Sequence, residues 1–142
     1  MRLGYTVPVL VALAGGSVSA AVSAAAAEPL VCRIDALSAS QRSRQQVLAE
    51  KLARAIVGKT ELPNGLLFAL DLSRLPADAA GAPFCVVEVA EWVDLEARCC
   101  PFLDFGIELP GKGSLVRLRL TGGRGVKEFL ENELPMAHRA AR

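Results

Sequence analysis

The stretch Glu96-Ala97-Arg98-Cys99-Cys100-Pro101-Phe102-Leu103-Asp104-Phe105-Gly106-Ile107-Glu108-Leu109 decides how this chain folds, because its hydrophobic period changes in the middle. Upstream, Val86, Val89, Ala90, Val93 and Ala97 recur at helical spacing and predict a helix over 84–99. Downstream, Leu103, Phe105, Ile107 and Leu109 alternate with Asp104, Gly106 and Glu108, the pattern of a strand with one buried and one wet side. The change falls at Pro101, whose ring disfavours the helical conformation for the residue before it. Cys99 therefore belongs to the last helical turn and Cys100 is extended. Two neighbouring thiols stand at an accessible bend between a helix and a strand.

Working outward, Pro110 to Gly113 makes a turn, and the next strand points Val116, Leu118 and Leu120 inward and Arg117 and Arg119 outward, toward Asp104 and Glu108. Gly122-Gly123-Arg124-Gly125 could cradle an anion, but it matches no phosphate-loop spacing and is read as a turn. Val126, Phe129, Leu130 and Leu134 then describe a short helix closed by Pro135. Toward the N-terminus, Ser38 and Gln41 form a capping box for a helix whose apolar face is Leu48, Leu52 and Ile56, with Arg42, Arg44, Gln45 and Lys51 opposite and Gly58 as its stop. Lys59–Leu62 and Leu66–Leu72 flank Pro63-Asn64-Gly65 as a hairpin, with Leu66, Phe68, Leu70 and Leu72 on one side. Residues 73–83 read as a loop. The order helix, hairpin, helix, hairpin, helix predicts a two-layer α+β domain: a four-stranded antiparallel sheet of two hairpins with about three helices. Spacing leaves the strand order open.

The ends of the chain speak to compartment. Residues 1–27 have the form of an export signal, with Arg2 first, an apolar run from about Val7 and small residues at Ala25-Ala26-Ala27. An uncleaved membrane anchor is the rival; Pro8 and Gly15-Gly16 weaken it. Cleavage makes the chain periplasmic or secreted, and leaves an irregular arm at 28–37, one domain at 38–134 and a flexible tail at 135–142. A net charge of +1 gives no basic footprint for nucleic acid. A membrane is a partner only if the leader is kept. Self-association through the sheet's open side, at Leu67, Phe102 and Leu115, is a further expectation.

All four cysteines, Cys32, Cys85, Cys99 and Cys100, follow the leader and would meet an oxidising compartment where disulfides persist. Cys85 and Cys99 lie near opposite ends of one helix, about 21 Å apart at ~1.5 Å per residue, too far to bond. Cys85, beside Phe84 and Val86, is expected to be a small buried residue. A disulfide from Cys32 to Cys99 or Cys100 would tie the arm to the domain. Alternatively, Cys32, Cys99 and Cys100 exchange disulfides or hold a soft metal ion as three thiolates; no other cofactor is expected. The helix terminus disfavours thiolate at Cys99 and Arg98 favours it. A four-cysteine zinc site fits poorly, since adjacent ligands depart from the usual spacing.

Elsewhere the residues suggest little machinery. Glu88, Glu91, Asp94 and Glu96 read as a solvated acidic face, Trp92 reads as core, and His138, the only histidine, is a poor general base in a tail. No catalytic residue is assigned and an enzyme is not the favoured class. The expected function is a non-enzymatic binding or accessory domain, the alternative a thiol-dependent redox or soft-metal-handling protein.

The run Ala90 to Phe105, followed by Leu118-Arg119-Leu120-Thr121-Gly122 and Gly125 to Leu130, resembles small uncharacterised bacterial proteins that carry a Glu-x-x-Cys-Cys-x-Phe-x-x-Phe pattern. Glu96, Cys99, Cys100, Phe102 and Phe105 match it, and Leu103 stands where the family often has a second aromatic. The resemblance implies a shared domain from about Cys32 onward and weight on the cysteine pair, with Glu96, Arg98, Phe102 and Phe105 as supporting residues. It implies no particular reaction.

Overall fold

The computed structural model describes residues 29–111 and 113–139; the leader expected at 1–27 lies outside them. Ser38 caps α1 (Ala39–Ala55) through a capping box with Gln41, satisfying amides that the first helical turn leaves unpaired. Leu48, Leu52 and Ala55 form its buried line. The helix passes directly into β1 (Ile56–Leu62), so Gly58 is not its stop; this glycine sits in the strand beside a register shift. A two-residue turn leads to β2 (Gly65–Asp71), and a loop opened by a single 3-10 turn leads to α2 (Val86–Cys99). β3 (Leu103–Glu108), β4 (Leu115–Gly122), α3 (Val126–Glu133) and α4 (Pro135–Arg139) complete the order.

The two hairpins join into one antiparallel sheet of order β1-β2-β4-β3, an α+β fold. β2 and β4 occupy the centre. Their register places Leu66 opposite Leu120, Phe68 opposite Leu118 and Leu70 opposite Val116, and all six side chains are buried. Such cross-strand apolar pairs are the units that hold a sheet against its helices. The outer face carries Arg117 and Arg119, with Arg117 4.0 Å from Glu108. Arg119 instead pairs in register with Gly106, not with an acid.

The apolar line of α2 is rotated from the expected one. Ala90 and Ala97 are exposed, whereas Val89, Trp92, Leu95, Glu96 and Cys99 are buried. Trp92 and Leu95 offer far more apolar area than two alanines, and area decides which face turns inward. Trp92 then meets Phe105 edge to face, ring centroids 6.2 Å apart. Glu88 and Glu91 do not form a free solvated face: Lys51 contacts Glu88 at 3.0 Å, and Arg44 grips both oxygens of Glu91 at 2.8 and 2.6 Å.

Four further expectations are overturned. Pro135 does not end the domain but begins α4, which suits proline because a first-turn amide needs no helical partner. Met136 and Ala137 are buried, so the chain just after Pro135 is packed structure, not the start of a flexible tail. Cys85 is exposed, because it caps α2 ahead of the buried line. Phe102 does not lie on the open side of the sheet; it packs edge to face on Phe129 of α3, centroids 4.9 Å apart.

Candidate functional site

Three elements meet at the end of α2. The helix stops at Cys99, and Cys100 turns out of it with φ −118° and ψ 75°. Adjacent residues within a helix point about 100° apart, so leaving the helix is what lets both thiols face the same side. The arm from Pro29 runs over this end: the Arg33 amide donates to the Cys99 carbonyl at 2.7 Å, meeting one of the acceptors a helix terminus leaves free. The arm is therefore docked, and it closes into a 3-10 turn at Ile34–Ala36.

Cys32 on the arm is disulfide-bonded to Cys100, with Cα atoms 4.6 Å apart. Cys99 keeps a free thiol. The sulfurs of Cys32, Cys99 and Cys100 all lie within 4.8 Å of one another. The expected proximity to Cys32 is present, but the expected accessibility of the pair is not: Cys99 is 6% and Cys100 1% exposed. The arm is attached to both, by the Arg33–Cys99 backbone bond and the Cys32–Cys100 link. Cys32 itself is only partly covered.

Glu96, one helical turn before Cys100, is the buried acid of this site at 8% exposure. Its Oε1 lies 3.5 Å from Cys100 Sγ, and its Oε2 accepts a 2.5 Å hydrogen bond from Gln45 Nε2 on α1. Burial raises the Glu96 carboxyl above its ordinary value, against the smaller opposing effect of the Gln45 bond. Burial also pushes the Cys99 thiol up; Glu96 and Asp35 add to the rise and the Gln45 amide opposes it. Arg98 plays no part in this balance. Its guanidinium is turned to Asp94 at 3.0 Å on the surface.

The cluster borders a cavity of about 920 Å³ between the arm, α1, α2 and the C-terminal helices. Leu30, Ile34, Ala49, Phe129, Leu134 and Met136 supply much of its apolar wall, and Cys32, Gln45, Trp92 and Glu96 reach it as well. Trp92 is 1% exposed, and its indole N–H has no hydrogen-bond partner among the described residues. A buried donor left unpaired costs about 1–3 kcal/mol, so its place beside a cavity is informative.

The structure thus brings Cys32, Cys99, Cys100 and Glu96 together and holds Phe102 and Phe105 as packing, while Arg98 and Cys85 stand apart. Sequence reading placed Trp92 in the core, where it lies, but connected neither it nor Gln45 with a site and gave no sign of the cavity. Gln45 and Glu96 are each i, i+3 or i+4 neighbours of buried apolar residues, a signal the pattern did contain. Among the described residues, no helix is long and apolar enough to cross a membrane. Compared with known proteins, the chain matches no family model, no curated protein and no solved structure.

Proposed function

We propose that this chain is a small exported binding domain whose cavity takes a compact, largely apolar molecule with one hydroxyl or amino head. The observation that carries this reading is the cavity itself. Its 920 Å³ lies in the range of small-molecule sites, about 300–1,000 Å³, and its largely apolar wall carries polar side chains from α1, α2 and α3. The head group follows from charge: among the described residues, Glu50, Glu96 and Glu133 line the cavity with one cation, Arg42, whose guanidinium already donates to the Leu37 carbonyl at 2.6 Å. A carboxylate ligand would meet excess negative charge. Export rests on the leader pattern of residues 1–27 and suits a disulfide-bonded fold.

Trp92 is the only tryptophan, so its fluorescence reports occupancy directly. Titrating the oxidised protein with decanol, decylamine and decanoate should give saturable changes for the first two at concentrations roughly tenfold lower than for decanoate. Ala49→Phe, which fills the cavity from α1, should abolish the change while leaving the circular dichroism intact. A Trp92 signal indifferent to all three probes would refute the reading.

A second reading, a thiol-dependent redox or soft-ion centre, is favoured by one specific observation. A structural bridge between Cys32 and Cys100 needs no third thiol, yet Cys99 lies within 4.8 Å of both its sulfurs. Cys99 as thiolate can attack either sulfur and move the bridge without any external oxidant.

A further inference from the structure

We propose that, once the Cys32–Cys100 bond is reduced, Cys32, Cys99 and Cys100 form a three-sulfur seat for a trivalent thiophilic metalloid, arsenic(III) or antimony(III). This rests on the second reading above, that the three sulfurs react as a set, and names what they hold.

Number and spacing of donors come first. Three sulfurs bonded to one centre at about 2.3 Å stand no more than about 4 Å apart. The three here are already confined within 4.8 Å, two of them fixed by the end of α2 and the third by an arm that the Arg33–Cys99 backbone bond holds in place. Small rotations of the side chains complete the seat. A divalent ion such as zinc seeks a fourth ligand, and the group at hand is Glu96, 3.5 Å from Cys100 Sγ.

Charge then separates the candidates. Three thiolates on a divalent ion leave one net negative charge, and a Glu96 carboxylate as fourth ligand leaves two. The site is a poor host for either. Cys99 and Cys100 are buried, the acids Glu96 and Asp35 oppose a negative charge on Cys99, Arg98 is engaged with Asp94, and Arg42, on the cavity wall with Cys32, is turned to the Leu37 carbonyl. Uncompensated buried charge is expensive. A trivalent centre with three thiolates is neutral and needs no fourth ligand, so this pocket discriminates in its favour. Soft thiolate donors suit it as well.

The chemistry balances in two stages. A small thiol entering through the cavity attacks Cys32, the partly exposed sulfur; the S–S bond breaks and Cys100 leaves as a thiolate that takes a proton. A second small thiol attacks the mixed disulfide, releasing Cys32 as a thiol and forming the external disulfide. Two small thiols are oxidised and one protein disulfide is reduced. The trihydroxide of the metalloid then condenses with the three cysteine thiols: three metalloid–sulfur bonds form, three metalloid–oxygen bonds break and three waters leave. No oxidation state changes in this stage.

The test uses the full mature chain, reduced with a phosphine and titrated with arsenite, cadmium and zinc, with binding read by native mass spectrometry. The expected result is one arsenic per chain in exchange for three protons, none on the oxidised protein, and arsenite outcompeting cadmium and zinc. Cys99→Ser, which keeps the Cys32–Cys100 pair for folding, should weaken arsenite binding roughly hundredfold, as loss of one arm of a chelate does. Cys85→Ser should change it less than twofold. Tighter cadmium or zinc binding than arsenite, or undiminished binding by Cys99→Ser, would overturn the proposal. Alkylation of the reduced, folded protein separates the two levels: three reactive triad thiols without arsenite binding sink the metalloid assignment alone, whereas unreactive thiols sink the reading beneath it and the assignment with it.

Discussion

Glu96 is the residue whose surroundings differ most from its nature: an acid inside the layer between α1 and α2, held by Gln45 and touching a sulfur. Desolvation raises its carboxyl from the ordinary value of 4.5, so the folded protein holds the protonated form more tightly than the unfolded chain does. That contribution is complete below the unfolded value and is lost as pH rises through the higher folded value. Glu96→Gln keeps the shape and removes the titration. Urea melts of both proteins across pH should therefore show the wild type losing stability relative to Glu96→Gln from about pH 4.5 upward; parallel curves would mean that the carboxyl is not the strained group. The helical acids Glu88, Glu91, Asp94 and Glu96 look alike in sequence. Their fates were separated by the rotation of α2, which Trp92 and Leu95 fix through packing that a list of charges does not contain.

At the scale of elements, the hairpins were legible because strand and turn chemistry are local, and the capping box at Ser38 was legible for the same reason. The order β1-β2-β4-β3 was not, since it depends on which edges meet after α2 crosses back over the sheet. Gly65 records that meeting. It pairs with Thr121 of β4, and a Cβ at Gly65 would run into the Leu120 carbonyl. Gly123, in the turn before α3, has open space around it and an ordinary φ. Gly65→Ala should cost about 2–3 kcal/mol in a denaturant melt, as overpacking does, and Gly123→Ala should be close to neutral. Equal effects at the two positions would contradict the β2–β4 register. The short α4 escaped sequence reading because Pro135 serves as well to start a helix as to stop one, and only the burial of Met136 and Ala137 decides between them.

For the whole molecule, the link between Cys32 and Cys100 spans 68 residues and ties the arm to the far end of α2. Chain-entropy reasoning gives such a loop about 4 kcal/mol. Reduction should lower the urea midpoint accordingly and, because Leu30, Val31 and Ile34 on the arm wall the cavity, should also weaken the Trp92 response to decanol; unchanged stability and response on reduction would show that the arm docks without its link. Fold, cavity and sulfur chemistry thus share one covalent tie, and the thiol state of the protein taken from its native compartment tests that tie most directly. Peptide mapping after alkylation without reduction should find Cys32 joined to Cys100, Cys85 labelled quickly and Cys99 labelled slowly. Four labelled cysteines, or Cys32 joined to Cys85, would contradict the account.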